Sequence, residues 1–65
     1  MKIVVNGELV EVDAATLEAA LIELGYGDAL IATAVNRDFV PKTERSNLAL
    51  NQGDVIEIIA PMQGG

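Results

Sequence analysis

A chain of 65 residues with neither cysteine nor histidine must fold without disulfides and without the usual zinc ligands. A domain of this size buries only about 60% of the surface of its unfolded chain, and small domains often make up the deficit with such cross-links. Here the deficit falls on apolar side chains, which are 51% of the residues. Tyr26 and Phe39 are the only aromatics, so the core must be aliphatic. The length allows one domain.

Alternation and turn chemistry divide the chain. Lys2 to Asn6 is β-rich, and Asn6-Gly7 is the strongest short hairpin signal, because a type I′ turn needs positive φ at both central residues. A two-residue loop there sets Val5 opposite Glu8, Ile3 opposite Val10 and Met1 opposite Val12. Met1, Ile3, Val5, Val10 and Val12 then share one face, and Lys2, Val4, Leu9 and Glu11 the other. Lys2 lies across from Glu11, a favourable cross-strand pair. Leu17, Ala20, Leu21 and Leu24 follow the i, i+3, i+4, i+7 spacing of a helix. Thr16 suits the N-cap, Glu18 suits the first turn, and Gly25 suits the stop. Glu23 is in the wrong turn for the helix dipole, and Ile22 points away from the apolar stripe.

Three more strands are expected. Leu30 to Val35 is the third, Asn36-Arg37-Asp38 turns, and Phe39-Val40 begins a short fourth. Pro41 cannot donate to a ladder, which assigns this strand to an edge. Lys42 to Asn51 reads as polar and irregular, anchored by Leu48 and Leu50. Asn51-Gln52-Gly53-Asp54 is a turn. Val55 to Ala60 is nearly all apolar, the pattern of a central strand buried on both faces. It should lie beside and parallel to the first strand. One helix across one mixed sheet of about five strands is the economical two-layer, α+β solution. Residues 1–60 form the domain, and 61–65, beyond the sheet-ending Pro61, form a free tail.

Much chemistry is missing. With one serine (Ser46), no cysteine and no histidine, there is no nucleophile with a base beside it and no group naturally titrating near neutrality. The acids fall at surface positions of the pattern, as solvated charge. Gly25-Tyr26-Gly27 is a helix stop, not a phosphate loop. No catalytic residue and no metal ligand is assigned. Ten acids against four bases leave a net charge of −6, which repels nucleic acid and disfavours anionic membranes. The acidity serves solubility or steers the chain to a basic partner. Arg37, Lys42 and Arg45 hold three of the four bases in a solvated loop or against an acidic patch. No apolar run approaches the roughly 20 residues of a membrane span, and the N-terminus reads as a strand rather than a signal peptide. A cytoplasmic location is expected.

The sequence ends Met62-Gln63-Gly64-Gly65. With Gly at about 7% of residues, chance places a diglycine there in about one chain in 200, so frayed ends account for some such cases. Chemistry offers another reason. A terminal carboxylate reacts only after activation, and an activating enzyme must draw the end into a narrow site. Two glycines supply a thread with no Cβ to clash. Gly65 would then be the modified residue, with Gly64 and Gln63 threaded behind it. On the body, Ile59, Val4 and Leu9 face away from the helix side and are the candidate partner surface.

Ala34 to Pro41, Ala-Val-Asn-Arg-Asp-Phe-Val-Pro, resembles the Val-Asn then Val/Ile-Pro signature of the thiamine-biosynthesis sulfur carrier family. Leu50 to Ile59 resembles that family's Leu-x-x-Gly-Asp segment and the strand after it. Asn-Gly-Glu at the first turn, Thr16-Leu17 and the final Gly64-Gly65 also fit. Lys42 stands where many members carry Arg. The resemblance implies a ubiquitin-like β-grasp fold and a carrier that is not itself an enzyme. It further implies an E1-like adenylyltransferase that uses ATP and magnesium to convert the Gly65 carboxylate to an acyl-adenylate. Sulfur from a donor system such as a cysteine desulfurase would replace AMP, and thiazole synthase would take it from the thiocarboxylate. Other carriers of this fold, such as the small subunit of molybdopterin synthase or a carrier for cysteine synthesis, are alternatives. So is a ubiquitin-like binding or conjugated module.

Overall fold

The first hairpin forms in the register that its turn dictates. In the computed structural model, which describes residues 1–60, β1 (Lys2–Val5) pairs antiparallel with β2 (Glu8–Glu11), Val5 opposite Glu8 and Lys2 opposite Glu11. Asn6 and Gly7 take φ of 49° and 86°, the left-handed pair a type I′ turn requires. The helix α1 (Leu17–Glu23) starts where its cap was expected: the Thr16 hydroxyl accepts from the Ala19 amide. Gly25, at φ 96°, lets the chain leave the helix; an L-residue would be strained there.

The remaining strands are β3 (Ala32–Val35), β4 (Asp38–Val40) and β5 (Val55–Ile59), and the sheet order is β2-β1-β5-β3-β4. β5 is central, parallel to β1 and antiparallel to β3. β4, followed by Pro41, is an edge strand. The core is aliphatic: Ile3, Val5 and Val12 from the first hairpin, Leu17, Ala20 and Leu21 from α1, Val35, Val40, Leu50, Ile56 and Ile58 from the rest.

Three expectations are corrected. β5 is not buried on both faces: Ile56 and Ile58 are buried, but Val55, Glu57 and Ile59 are exposed. One helix can cover only one side of a sheet, so a central strand here still has an open face. β3 starts at Ala32 rather than Leu30, because its last pair with β5 is Ala32 with Ile59. Residues 42–47 are not irregular but form a 3₁₀ segment, Lys42–Asn47. Arg45 within it is only 8% exposed, not solvated. Its Nε donates to Thr33 Oγ1 at 3.1 Å and its Nη2 to the Ile31 carbonyl at 2.8 Å.

The apparent misfit at Glu23 also resolves. Its carboxylate accepts from the backbone amides of Asp13 and Ala14, each at 3.0 Å, satisfying donors just ahead of the helix. Ile22 is exposed and lies against Gly27, where a Cβ would stand 3.4 Å from Ile22 Cγ1.

Candidate functional site

Strand alternation sends every second residue of the sheet away from α1. The open face that results is largely apolar, with Glu57 and the Lys2–Glu11 pair as its charged members. Leu9, Val4 and Val55 form one row across β2, β1 and β5, with Val4 half-buried between its neighbours. Phe39, Ala34 and Glu57 form the next across β4, β3 and β5. Ala32 and Ile59 form a third. Ile59 is 64% exposed and Phe39 68%. At the end of β5 a shallow depression of about 360 Å³ is lined by Leu30, Ile31, Ala32 and Ile59.

The structure therefore puts Ile59, Val4 and Leu9 on one face, as the alternation required. It does not bring them into one cluster. Val4 pairs with Val55 at the start of β5, and Ile59 lies four residues further along, roughly 13 Å at strand rise. Leu30 lines the depression beside Ile59, and Phe39 is exposed on the same face in the Ala34–Glu57 row; the sequence reading did not include either residue in the surface. The signal for Phe39 was available: Val40 faces the core, so its neighbour in an extended strand must face out. Leu30 carries no such signal, since it precedes β3. Gln63, Gly64 and Gly65 lie outside the described residues.

Two tight turns flank β5, Asn6-Gly7 on the β1 side level with Glu57 and Ile58, and Asn36-Arg37 on the β3 side at its start. Asn6-Gly7 joins β1 to β2, and Asn36-Arg37, with φ of 51° and 74°, joins β3 to β4. Both asparagine side chains bond β5 or the residue before it. Asn36 Oδ1 accepts from the Val55 amide at 3.0 Å, and its Nδ2 donates to Asp54 Oδ1 at 3.1 Å. Asn6 Oδ1 accepts from the Ile58 amide at 2.8 Å, and its Nδ2 donates to the Ile58 carbonyl at 3.2 Å. A turn asparagine is visible in the sequence; its bonds to a strand some fifty residues away are not.

Among the described residues no group of three His, Cys, Asp or Glu side chains is placed to hold a metal ion, and no helix is long and apolar enough to cross a membrane. What the body presents is an exposed, largely apolar sheet face, with Ile59, the last residue of β5, at its rim.

Known proteins resemble the chain over nearly all of its length. A model of the ThiS family matches residues 3–65. A thiazole synthase of Paramagnetospirillum magneticum is 42% identical over 66 residues; the match takes in 100% of this chain but 20% of that protein. The sulfur carrier protein ThiS of Thermus thermophilus is 35% identical over 60 residues, covering 92% of this chain and 94% of that one. The crystal structure of the thiamine biosynthesis protein ThiS from Geobacter metallireducens superposes with a TM-score of 0.83 at 25% identity, over 100% of both chains.

Proposed function

The chain belongs to the ThiS family, the small non-enzymatic sulfur carriers of thiamine biosynthesis, and from that premise we propose that Gly65 is the residue that carries the sulfur. A partner adenylyltransferase, using ATP and magnesium, lets a Gly65 carboxylate oxygen attack the α-phosphorus; the bond to the departing pyrophosphate breaks and an acyl-adenylate forms. The terminal sulfur of a persulfide from a cysteine desulfurase system then attacks the acyl carbon and AMP leaves; a second thiol attacks the inner sulfur of the resulting acyl disulfide, which forms a disulfide with the sulfur donor and frees the thiocarboxylate. Thiazole synthase accepts that sulfur. The dependence on ATP fits a cytoplasmic setting.

One observation carries this reading: the central strand β5 ends at the rim of an open apolar face. Ile59 lies beside Leu30, Ile31 and Ala32 around the depression there. A partner that covers this face is therefore next to the start of the C-terminal residues. Gln63, Gly64 and Gly65 then act as a thread into the partner's site, where β-carbons would be in the way. The full-length match to part of a thiazole synthase supports thiazole synthase as the enzyme that takes the sulfur.

The test is ATP–pyrophosphate exchange with the cognate adenylyltransferase, comparing the intact chain with one lacking Gly65 and with Gly64→Val. Deleting Gly65 moves the carboxylate back by about 3.5 Å of extended chain, and a misplacement of about 1 Å can lower a rate on the order of a hundredfold. Exchange should collapse in both variants with the melting temperature unchanged. A chain lacking Gly65 that exchanges as fast as the intact one refutes the carrier chemistry and favours a passive binding module.

A further inference from the structure

The β1–β2 turn needs a residue at position 6 that tolerates a φ of 49°, and glycine or aspartate would meet that need as well as asparagine does. The Asn6 side chain has a second task. The parallel ladder between β1 and β5 runs from the bond of the Val4 amide to the Asp54 carbonyl, 2.9 Å, to that of the Asn6 amide to the Ile56 carbonyl, 3.0 Å. There β1 turns away toward β2. The next β5 residue whose backbone points to this side is Ile58. Its amide and carbonyl both bond the Asn6 side-chain amide. On the other side β3 cannot supply these partners. The Asn36–Val55 bond marks a hydrogen-bonded position of the β3–β5 ladder, and alternation makes the Thr33–Ile58 pair a non-hydrogen-bonded one. The Asn6 side chain thus extends the ladder by one step beyond the reach of the β1 backbone.

The consequence lies at the exit of β5. Asn36 holds the first residue of the strand from the β3 side, and Asn6 holds Ile58 from the β1 side, one residue before the strand ends. Without Asn6 the last pairing to β1 is at Ile56. The point at which the chain is held on that side retreats by two residues, roughly 7 Å of extended backbone. Building on the carrier reading above, we infer that Asn6 is a positioning residue: with Ile59 paired to Ala32 on the β3 side, the bonds from Asn6 to both backbone groups of Ile58 fix the β1 side of the strand end, and so the direction in which the C-terminal residues leave the sheet and how often the Gly65 carboxylate reaches its reactive position in the adenylating partner. Asn6 does not touch the reacting atoms and does not belong to the apolar rows of the open face. It should therefore govern the rate on the bound complex rather than the binding.

The test compares Asn6→Gly and Asn6→Asp with the wild-type chain, below the melting temperature of all three. Glycine keeps the left-handed turn and removes both bonds. Aspartate keeps the turn and the bond from the Ile58 amide but sets an oxygen against the Ile58 carbonyl. Amide hydrogen exchange should accelerate at Ile58 in Asn6→Gly while the amides of α1 stay protected. In pyrophosphate exchange with the adenylyltransferase, kcat should fall about tenfold or more in both variants with KM within about twofold, the signature of lost orientation. A residue that only stabilises the fold would lower the melting temperature and leave kcat alone. Wild-type kcat in Asn6→Gly, or an unchanged Ile58 amide, overturns the inference while the carrier reading stands. A wild-type chain that supports no exchange overturns the carrier reading and this inference with it.

Discussion

Thr33→Val should be among the most damaging single substitutions in this domain, although it replaces one β-branched side chain by another of nearly the same size. Thr33 is 2% exposed. Its hydroxyl donates to the Val40 carbonyl at 3.0 Å and accepts from Arg45 Nε at 3.1 Å. Valine fills the same volume, so almost no cavity forms. What is lost is one hydrogen bond to a charged donor, about 1.5–3 kcal/mol, and the hydroxyl's bond to the Val40 carbonyl, about 1 kcal/mol. About 3 kcal/mol in total is a large share of the roughly 3–10 kcal/mol expected for 65 residues. At about 4–8 °C per kcal/mol for a domain this small, the midpoint should fall by roughly 12–24 °C. The mechanism is separable from general core damage. In an Arg45→Met background the guanidinium no longer needs the hydroxyl, and Thr33→Val should then cost only about 1 kcal/mol, for the bond to Val40. Urea denaturation of the wild type, both single variants and the double variant gives the coupling, expected near 2 kcal/mol. A coupling below about 0.5 kcal/mol, the scatter of independent sites, would refute the account of Arg45 as a buried cation held by neutral partners.

Arg37 occupies the second position of the β3–β4 turn at a φ of 74°, where an L-residue is strained by about 1–2 kcal/mol. Arg37→Gly should therefore raise the thermal midpoint despite the added freedom of the unfolded chain, and a lower midpoint would show that the Arg37 side chain contributes more than its backbone strain removes. Ile59→Asp should weaken binding to the adenylyltransferase by well over tenfold in a calorimetric titration. Stability should hold, because Ile59 is exposed on the open face; wild-type affinity in the folded variant would remove that face from the interface.

The elements that were legible in the sequence rest on short-range physics. The first hairpin needed only Asn6-Gly7 and a period of two. The helix needed Thr16, a period of 3.6 and Gly25. The edge position of β4 followed from the missing donor of Pro41, and the central position of β5 from its apolar run. Each of these is decided within a few residues of chain, by steric limits on φ and by which face a side chain takes.

Other features depend on which groups lack a partner once the sheet has assembled. Local pattern marked Arg45 as solvated, yet it is drawn inward by the Ile31 carbonyl and Thr33, 14 and 12 residues away. Glu23 looked misplaced against its own helix dipole but serves amides 9 and 10 residues upstream. The apolar run of β5 looked buried on both faces, and half of it faces outward because one α-helix among the described residues covers one side of the sheet. The Ile58 amide and carbonyl are left over where β1 turns away, and Asn6, 52 residues distant, completes them. The sequence by itself determined the elements and their turns, since those are local. Alternation also marked the face turned from the helix, but only the tertiary structure decided which side chains complete the backbone around β5, because orphaned hydrogen-bonding groups exist only after the strands have met.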